Sequence, residues 1–252
     1  MKLPALNNKS ERPAEINRRE FFRGGAAVAT AVLAPGVTLM AFGGQAGANA
    51  DPGKRWGLLI DVNKCKSDCN ACVTACSEEN GWKLDGNPET DPQWMRKVDL
   101  KHKETGREVS LPMMCQHCEQ PPCVDVCPTG ASFKRVDGIV LVDKHICIGC
   151  RYCMMACPYK ARSFEHADVE DQKPYAPRGK GTVESCTLCV HRVDKGGIPA
   201  CVESCAATGN GAMIFGDLND PESEIAKALK NYPSIGLRDD LRVNPGVRYT
   251  NL

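Results

Sequence analysis

The stretch CIGCRYCMMACP, residues 147–158, holds four cysteines spaced C-x2-C-x2-C-x3-C and ends in proline. Three thiolates two residues apart on a tight loop can face one compact metal centre. The fourth cysteine, three residues further on, points away from that centre and serves a second one. The spacing therefore predicts a unit of two facing groups that exchange their last ligands.

The other cysteines of the chain repeat this arrangement. All sixteen lie after residue 50 and form four groups of four. The group spacings predict two modules and four [4Fe-4S] clusters. In chain order, the groups are Cys65, Cys69, Cys72 and Cys76 (group one); Cys115, Cys118, Cys123 and Cys127 (group two); Cys147, Cys150, Cys153 and Cys157 (group three); and Cys186, Cys189, Cys201 and Cys205 (group four).

Iron-sulfur binding is one of four uses that sixteen cysteines could have. Disulfides are disfavoured because the short spacings crowd the cysteines into single loops. Disulfide bonds would instead be expected to join distant segments of the chain. Paired C-x2-C motifs do occur in zinc sites, but a four-cysteine run ending in proline is not a zinc pattern. Covalent haem fails because no C-x2-C is followed directly by histidine. Iron-sulfur clusters are favoured, with zinc and disulfides as the alternatives.

Residues 1–50 have the features of a twin-arginine signal segment. Residues 18–23 read RREFFR, residues 24–42 are mostly apolar, and residues 48–50 give an A-x-A cleavage site. A retained membrane anchor is the alternative, although Pro35 and Gly36 interrupt the apolar stretch. The twin-arginine route exports folded proteins, which suits a chain loaded with cofactor before export. We expect residues 51–252 to form a soluble, periplasmic four-cluster domain.

Composition and motifs narrow the class of function. A formal charge of +1, without a stripe of Lys and Arg interleaved with aromatic residues, argues against a nucleic-acid partner. After residue 50 there is no phosphate-binding loop, no dinucleotide fingerprint after a strand and no open metal triad. These features predict a protein that relays electrons and is not itself a catalyst.

Short strands and one helix are expected around the ligand loops. Segments 133–136 and 139–142 predict a β-hairpin with Asp137-Gly138 as a type I′ turn. Segments 57–62 and 212–215 predict further strands, and a helix is expected near Asp220, with Pro221 in its first turn and Ile225, Leu229 and Tyr232 on one face. The expected fold class is α+β.

Charged and polar residues beside the ligands allow two interpretations. Each cluster carries negative charge, so nearby cations would tune its reduction potential, while a solvated surface charge is the simpler interpretation of each one. Met154 and Met155 are expected to pack beside a cluster, and His117 and His191 to hydrogen-bond rather than to bind metal. The candidate cations are Lys64, Lys144, Arg151, Lys160 and Arg192.

With its motifs in view, the chain closely resembles the four-cluster ferredoxin-like subunits of bacterial respiratory complexes, such as those of dimethyl sulfoxide, tetrathionate, polysulfide and formate enzymes. The resemblance covers nearly all of residues 57–217. It rests on CQHCEQPPC at 115–123, CIGCRYC at 147–153 and CTLCVHR at 186–192. It implies two paired ferredoxin-like modules with inserted loops and a C-terminal extension.

The resemblance also implies which cysteines share a cluster. Groups one and four would form one module, and groups two and three the other. Group one departs from the family pattern, because three residues instead of two separate Cys65 from Cys69. The implied ligand sets are Cys65, Cys69, Cys72 and Cys205; Cys76, Cys186, Cys189 and Cys201; Cys115, Cys118, Cys123 and Cys157; and Cys127, Cys147, Cys150 and Cys153.

Segments 199–205, 209–221 and 244–249 look most like a narrower branch, DsrO, the periplasmic iron-sulfur subunits of the membrane redox complex associated with dissimilatory sulfite reduction. That branch implies an integral membrane quinone-interacting subunit of the polysulfide-reductase type, a multihaem c-type cytochrome and further subunits of the complex as partners. The alternative is the electron-transfer subunit of a molybdopterin enzyme reducing tetrathionate, polysulfide or thiosulfate.

Overall fold

The computed structural model describes residues 29–34, 37–41 and 50–252, apart from 85, 88, 171 and 209. The chain divides into two units, Met1–Ala48 and Asn49–Leu252. In the first unit, strand β1 (Ala29–Ala34) pairs antiparallel with β2 (Val37–Ala41). The arginine motif at 18–23 and positions 48 and 49 of the expected cleavage site lie outside the described residues. None of the helices in the described ranges is both long and apolar enough to cross a membrane.

A four-stranded sheet forms the largest regular element of the second unit. Its second strand, β3 (Trp56–Asp61), is buried at four consecutive residues, Gly57 to Ile60, because protein packs against both of its faces. Strand β3 runs antiparallel to β10 (Met213–Asp217) and parallel to β12 (Val247–Thr250), while helix α6 (Glu224–Asn231) packs on β10 and β3. The strand order is β10, β3, β12 and β11 (Ser234–Ile235).

Three antiparallel strand pairs lie along the chain between the cysteine groups. They are β4 (Met95–Lys101) with β5 (Glu108–Met114), β6 (Ser132–Lys134) with β7 (Val140–Val142), and β8 (Ser163–Phe164) with β9 (Val183–Glu184). Strands β3 and β7 end just before groups one and three, so a strand leads into the ligand loop in both places.

Short helices contain six of the sixteen cysteines. Helix α1 packs against α5, and α2 packs against α3. Helices of this length are marginal in water on their own, so tertiary contacts must stabilise them. The helices are α1 (Ala71–Asn80), α2 (Pro122–Asp125), α3 (Tyr152–Ala156), α4 (Val190–Val193) and α5 (Ala200–Ala207), with 3₁₀ turns at Val62–Lys64 and Asp239–Leu241.

The predicted hairpin forms, but its predicted type I′ turn is wrong. Strand pairing ends at Lys134 and Val140, which leaves a five-residue loop. Gly138 donates its N–H to the carbonyl of Arg135, and its φ of 88° places it in the left-handed region. Asp137 does not share that conformation, because its buried carboxylate is held by the guanidinium of Arg135 at 2.8 Å. A type I′ turn needs a positive φ at both central residues.

The C-terminal helix starts later than predicted. Ser223 caps α6 by accepting a hydrogen bond from the N–H of Ala226 at 3.2 Å, so Pro221 lies outside the helix. Ser is a favoured N-cap, and its side chain outweighs the preference of proline for the first turn. Ile225 is fully buried and Leu229 half-buried, as predicted. Tyr232 follows the end of the helix and is exposed, so its predicted place on the packed face is wrong.

Candidate iron-sulfur sites

Cysteines from different groups come together around shared cavities. Three cavities are each lined by four cysteines. In each, three of the cysteines belong to one group and the fourth is the last member of another. We name these sets quartet 2 (Cys76, Cys186, Cys189 and Cys201), quartet 3 (Cys115, Cys118, Cys123 and Cys157) and quartet 4 (Cys127, Cys147, Cys150 and Cys153).

The remaining four cysteines, Cys65, Cys69, Cys72 and Cys205, also lie close together, and we name them quartet 1. Burial raises the pKa of Cys72 to about 11, and the neighbouring thiols of Cys65, Cys205 and Cys69 contribute to the rise. Cys205 comes from helix α5, and the other three from group one. The four quartets have the same members as the ligand sets that the family resemblance implied, and their assignment as cluster ligands stays a prediction.

The cysteines that line these cavities are free thiols. None of the sixteen, all of which are among the described residues, forms a disulfide. Within the described ranges, no three His, Cys, Asp or Glu side chains converge as they would on a single metal ion. In quartets 2 to 4, the four thiols instead lie around a cavity.

The ligand loops of groups two, three and four share one backbone feature. The residue before the second cysteine has a positive φ in each: His117 (43°), Gly149 (69°) and Leu188 (54°). At Gly149 a Cβ would lie 2.2 Å from the carbonyl oxygen of Gly181, so only glycine fits. For non-glycine residues this conformation costs of order 1–3 kcal/mol and persists where the surroundings impose it. The turn directs the N–H of Leu188 to the sulfur of Cys186 at 3.4 Å.

The last cysteine of each group accepts a hydrogen bond from a residue that follows it. Backbone N–H groups donate to three of these sulfurs at 3.2 to 3.5 Å, and the Asn80 side-chain amide donates to Cys76 at 3.7 Å. Hydrogen bonds to thiolate sulfur stabilise its negative charge and tune a bound cluster. The three backbone donors are Ser132 to Cys127, Ala161 to Cys157 and Ala212 to Cys205.

The expanded loop of group one is held differently. No residue from Lys66 to Asp68 has a positive φ. Instead, Lys97 on β4 donates its ammonium to the carbonyls of Lys66, Ser67 and Cys69 at 2.5, 3.1 and 2.6 Å. Its charge also lies near the thiols of quartet 1, where it lowers the pKa of Cys65 against the larger raising effect of burial. Sequence reasoning missed this role, because Lys97 lies far from any cysteine along the chain.

We expect Lys97→Met to loosen the loop that carries Cys65 and Cys69. Loss of the charged hydrogen bonds should cost about 2 kcal/mol of loop stability, a roughly thirtyfold increase in loop opening. The cluster of quartet 1 should then be lost first when the protein is exposed to air, as followed by EPR. Lys101→Met is the matched control on the same strand, because Lys101 only pairs with Glu108 on the surface. Equal cluster loss in both variants would contradict this role.

The contacts of two buried side chains, His117 and Arg162, bear on whether the cavities suit a charged cluster. His117 accepts a hydrogen bond on Nδ1 from the N–H of Val140, and its Nε2 has no protein partner in the described ranges. Burial and the charge of Arg162 lower its pKa to about 3, so the ring is neutral with its proton on Nε2. Arg162 lines the cavity of quartet 3 and donates to the sulfur of Cys123 at 3.1 Å. Arg162, unlike His117, lines a cysteine cavity, and its donors together with the sets of four thiols fit an anionic iron-sulfur cluster.

Three of the cations proposed from the sequence lie beside candidate ligand cysteines, and most also have other partners. Arg151 lines the cavity of quartet 4. Lys144 interacts with the thiol of Cys147, and Arg192 with that of Cys189. Lys144 lies 5.1 Å from the ring of Trp94, and Arg151 3.7 Å from that of Phe164. The remaining pairings are Lys64 with Asp61, and Arg192 with Glu79 and Glu203.

The predictions for the histidines and methionines had different outcomes. His191 shares a hydrogen bond of 2.7 Å with Glu79, and this bond and that of His117 confirm the predicted hydrogen-bonding roles. The packing role predicted for Met155 is wrong, because its side chain is 76% exposed. Helix α3 turns this residue away from the buried Cys153.

Comparison with known proteins places the chain in a family. Residues 108–218 match the model of the 4Fe-4S dicluster domain. The chain is 42% identical to the Hdr-like menaquinol oxidoreductase iron-sulfur subunit 1 of Archaeoglobus fulgidus, over 94% of this chain and 98% of that protein. It belongs to the ferredoxin-like iron-sulfur subunits of oxidoreductase complexes.

Other oxidoreductase subunits are similar over about three quarters of the chain. The B subunit of tetrathionate reductase from Salmonella typhimurium is 41% identical over 76% of this chain and 68% of that protein. The menaquinone reductase iron-sulfur cluster-binding subunit of Nitratidesulfovibrio vulgaris is 33% identical over 77% and 88%. The protein is thus an iron-sulfur electron-transfer subunit of a membrane-associated oxidoreductase, and its sixteen cysteines carry four [4Fe-4S] clusters.

Proposed function

We propose that this subunit relays electrons through its own interior, entering at one end of a row of four clusters and leaving at the other. The observation that carries the proposal is the burial of the cysteines. All eight cysteines of quartets 2 and 3 are buried, whereas quartets 1 and 4 each include solvent-accessible ones. The two inner clusters would thus exchange electrons only with their neighbours. The accessible cysteines are Cys65 and Cys69 in quartet 1, and Cys127, Cys147 and Cys150 in quartet 4.

The neighbours of individual thiols support the order 1, 2, 3, 4. Burial raises the pKa of Cys201 in quartet 2, and the thiol of Cys72 in quartet 1 contributes to the shift. Burial likewise raises the pKa of Cys186, with a contribution from Cys115 of quartet 3. Quartets 3 and 4 meet through Arg162, which interacts with cysteines of both. Each quartet therefore lies beside the next.

We assign one cluster to each quartet, and two quartets to each ferredoxin-like module. Packing of α1 on α5 supports a module of groups one and four, and packing of α2 on α3 supports a module of groups two and three. The clusters supply the one-electron chemistry, while the protein supplies thiolates, hydrogen bonds to sulfur, and burial. We assign no substrate chemistry to the chain.

We further propose that the subunit works in a periplasmic-facing membrane complex of dissimilatory sulfur metabolism, after export by the twin-arginine route. The similarity to a menaquinol oxidoreductase subunit supports a quinone-interacting membrane partner, and the DsrO-like segments favour a multihaem cytochrome c as a further partner. The second candidate is the middle subunit of a molybdopterin reductase, which the similarity to a tetrathionate reductase subunit favours.

The surface around quartet 4 is suited to the membrane partner. Cys150 is exposed, and four large apolar residues within five positions of it are exposed as well. An exposed apolar cluster of this kind marks a protein interface. We assign this surface to the quinone-interacting subunit, because it adjoins the exposed end of the cluster row. The four residues are Ile146, Ile148, Tyr152 and Met155.

Met155→Asp is expected to weaken assembly with the membrane subunit at least roughly tenfold, because it places a charge in an apolar interface. Met155 is not a ligand, so the iron content of the subunit should stay unchanged. Co-purification from membranes measures the effect. Tyr232→Asp is the control, since Tyr232 is also exposed but lies after α6, outside the cysteine groups. Normal assembly of the Met155 variant would exclude this surface as the interface.

Affinity capture of the tagged subunit from membranes, with identification of its partners, tests the proposed complex. Capture of a quinone-interacting membrane protein together with a multihaem cytochrome c is the expected result. Capture of a large molybdopterin subunit would instead establish the second candidate. Recovery of the loaded subunit without any redox partner would contradict both.

A further inference from the structure

Arg162 is a buried cation whose side chain lies at the boundary between quartets 3 and 4. The residue is 5% exposed. Its Nη2 donates to the sulfur of Cys123 in quartet 3 at 3.1 Å and to Oγ of Ser132 at 2.8 Å. The backbone N–H of Ser132 in turn donates to the sulfur of Cys127 in quartet 4 at 3.3 Å. Arg162 and Ser132 thus link a ligand of one cluster to a ligand of the next.

The charge of Arg162 also acts on both quartets. The guanidinium interacts with the thiols of Cys123, Cys115 and Cys153. Cys115 and Cys123 belong to quartet 3 and Cys153 to quartet 4. One side chain therefore serves two neighbouring sites.

The partners of Arg162 differ from those of other buried arginines. Arg135 and Arg178 each pair with two carboxylates. Arg162 instead contacts a thiol and a hydroxyl, and neither its Nε nor its Nη1 has a hydrogen-bond partner among the described residues. A buried charge without an opposite charge is costly. The cysteine thiolates, together with a cluster bound to them, would supply the balancing negative charge.

We propose that Arg162 is a positioning residue shared by the clusters of quartets 3 and 4, which holds Cys123 in place and raises the reduction potentials of both clusters. The proposal rests on the ligand sets assigned above. Adding an electron to a cluster increases its negative charge, so a nearby fixed cation favours the reduced state. Because the same cation faces both clusters, it also lessens the repulsion between them when both are reduced.

Anaerobic redox titration of the purified full-length protein, followed by EPR, tests this role in Arg162→Met and Arg162→Lys. In Arg162→Met, two of the four midpoint potentials should shift downward and the other two should stay unchanged. Arg162→Lys keeps the charge without the planar fork of donors, so the same two potentials should shift in the same direction by less. Lys97→Met is the matched control, because it removes a cation at quartet 1 and should shift a different cluster.

Several outcomes would overturn the proposal. One is an unchanged pair of potentials in a fully iron-loaded Arg162→Met protein. If that variant does not assemble, Arg162→Gln, which removes the charge but keeps a hydrogen-bond donor, decides, and unchanged potentials there would reduce Arg162 to a packing role. An equal shift of all four clusters would also contradict a shared local site. Failure of the electron-relay function is distinguishable, because it would show in the unsubstituted protein as missing reducible clusters.

Discussion

Anaerobic removal of iron is expected to unfold residues 50–252. Eleven of the sixteen cysteines are buried, and most of them belong to the hydrophobic core. The longest helix of the described residues has ten residues, so little secondary structure would persist without the core. A single structural zinc contributes about 10–16 kcal/mol in small metal-binding domains. The whole net stability of a domain is only about 5–15 kcal/mol, so loss of four clusters should exceed it.

Circular dichroism during chelation under argon measures this effect. The expected result is that the far-UV signal falls as iron is released and that the apoprotein shows no cooperative thermal transition. Reconstitution with iron and sulfide should restore both. The control is the iron-loaded protein in the same concentration of chelator with excess iron present. A metal-free chain that still melts cooperatively near the temperature of the loaded protein would contradict the dependence of folding on the clusters.

Cys76→Ala and Cys186→Ala are expected to lose the same cluster, although the two residues lie in different groups. Both line the cavity of quartet 2, whereas Cys72, in the same helix as Cys76, belongs to quartet 1. Iron should fall from about sixteen to about twelve per chain in each variant. Electron transfer between the two ends should be abolished, because the lost cluster lies between quartets 1 and 3.

EPR of the reduced variants distinguishes two arrangements. In one, each cluster takes its fourth ligand from another group. In the other, all four ligands of a cluster come from the same group. Cys76→Ala and Cys186→Ala should lack the same signal, while Cys72→Ala should lack a different one. Thr187→Ala, next to Cys186, is the control and should retain all four signals. If Cys76→Ala and Cys72→Ala lacked the same signal, each group would hold its own cluster, and the quartets would be the wrong ligand sets.

The cysteine spacing carried most of the information about the site. Spacing alone predicted four clusters and the exchange of the last ligand, and the family resemblance added which groups face each other. The strand positions also followed from local patterns, since 57–62 and 212–215 lie within a residue or two of β3 and β10. Such patterns are visible because ligand loops and β-strands depend on neighbours in sequence.

The features that the sequence did not predict depend on contacts between distant residues. Lys97 lies 28 residues from Cys69, and Arg162 lies 39 residues from Cys123. Nothing in the local sequence distinguishes Lys97 or Arg162 from an ordinary charged residue on the surface. The hairpin loop was mispredicted for the same reason. Arg135 holds the carboxylate of Asp137, and Arg135 is itself bound by Asp194 from a distant part of the chain.

Quantitative EPR of the purified full-length protein during reductive titration tests the central claim most directly. Four cuboidal clusters in a row should give four reducible paramagnetic centres per chain, with signals split by magnetic interaction between neighbours. Integration to four spins with such splitting is the result we predict. A protein that contains stoichiometric zinc, or that shows fewer than four centres or only isolated signals when fully loaded, would contradict a continuous relay.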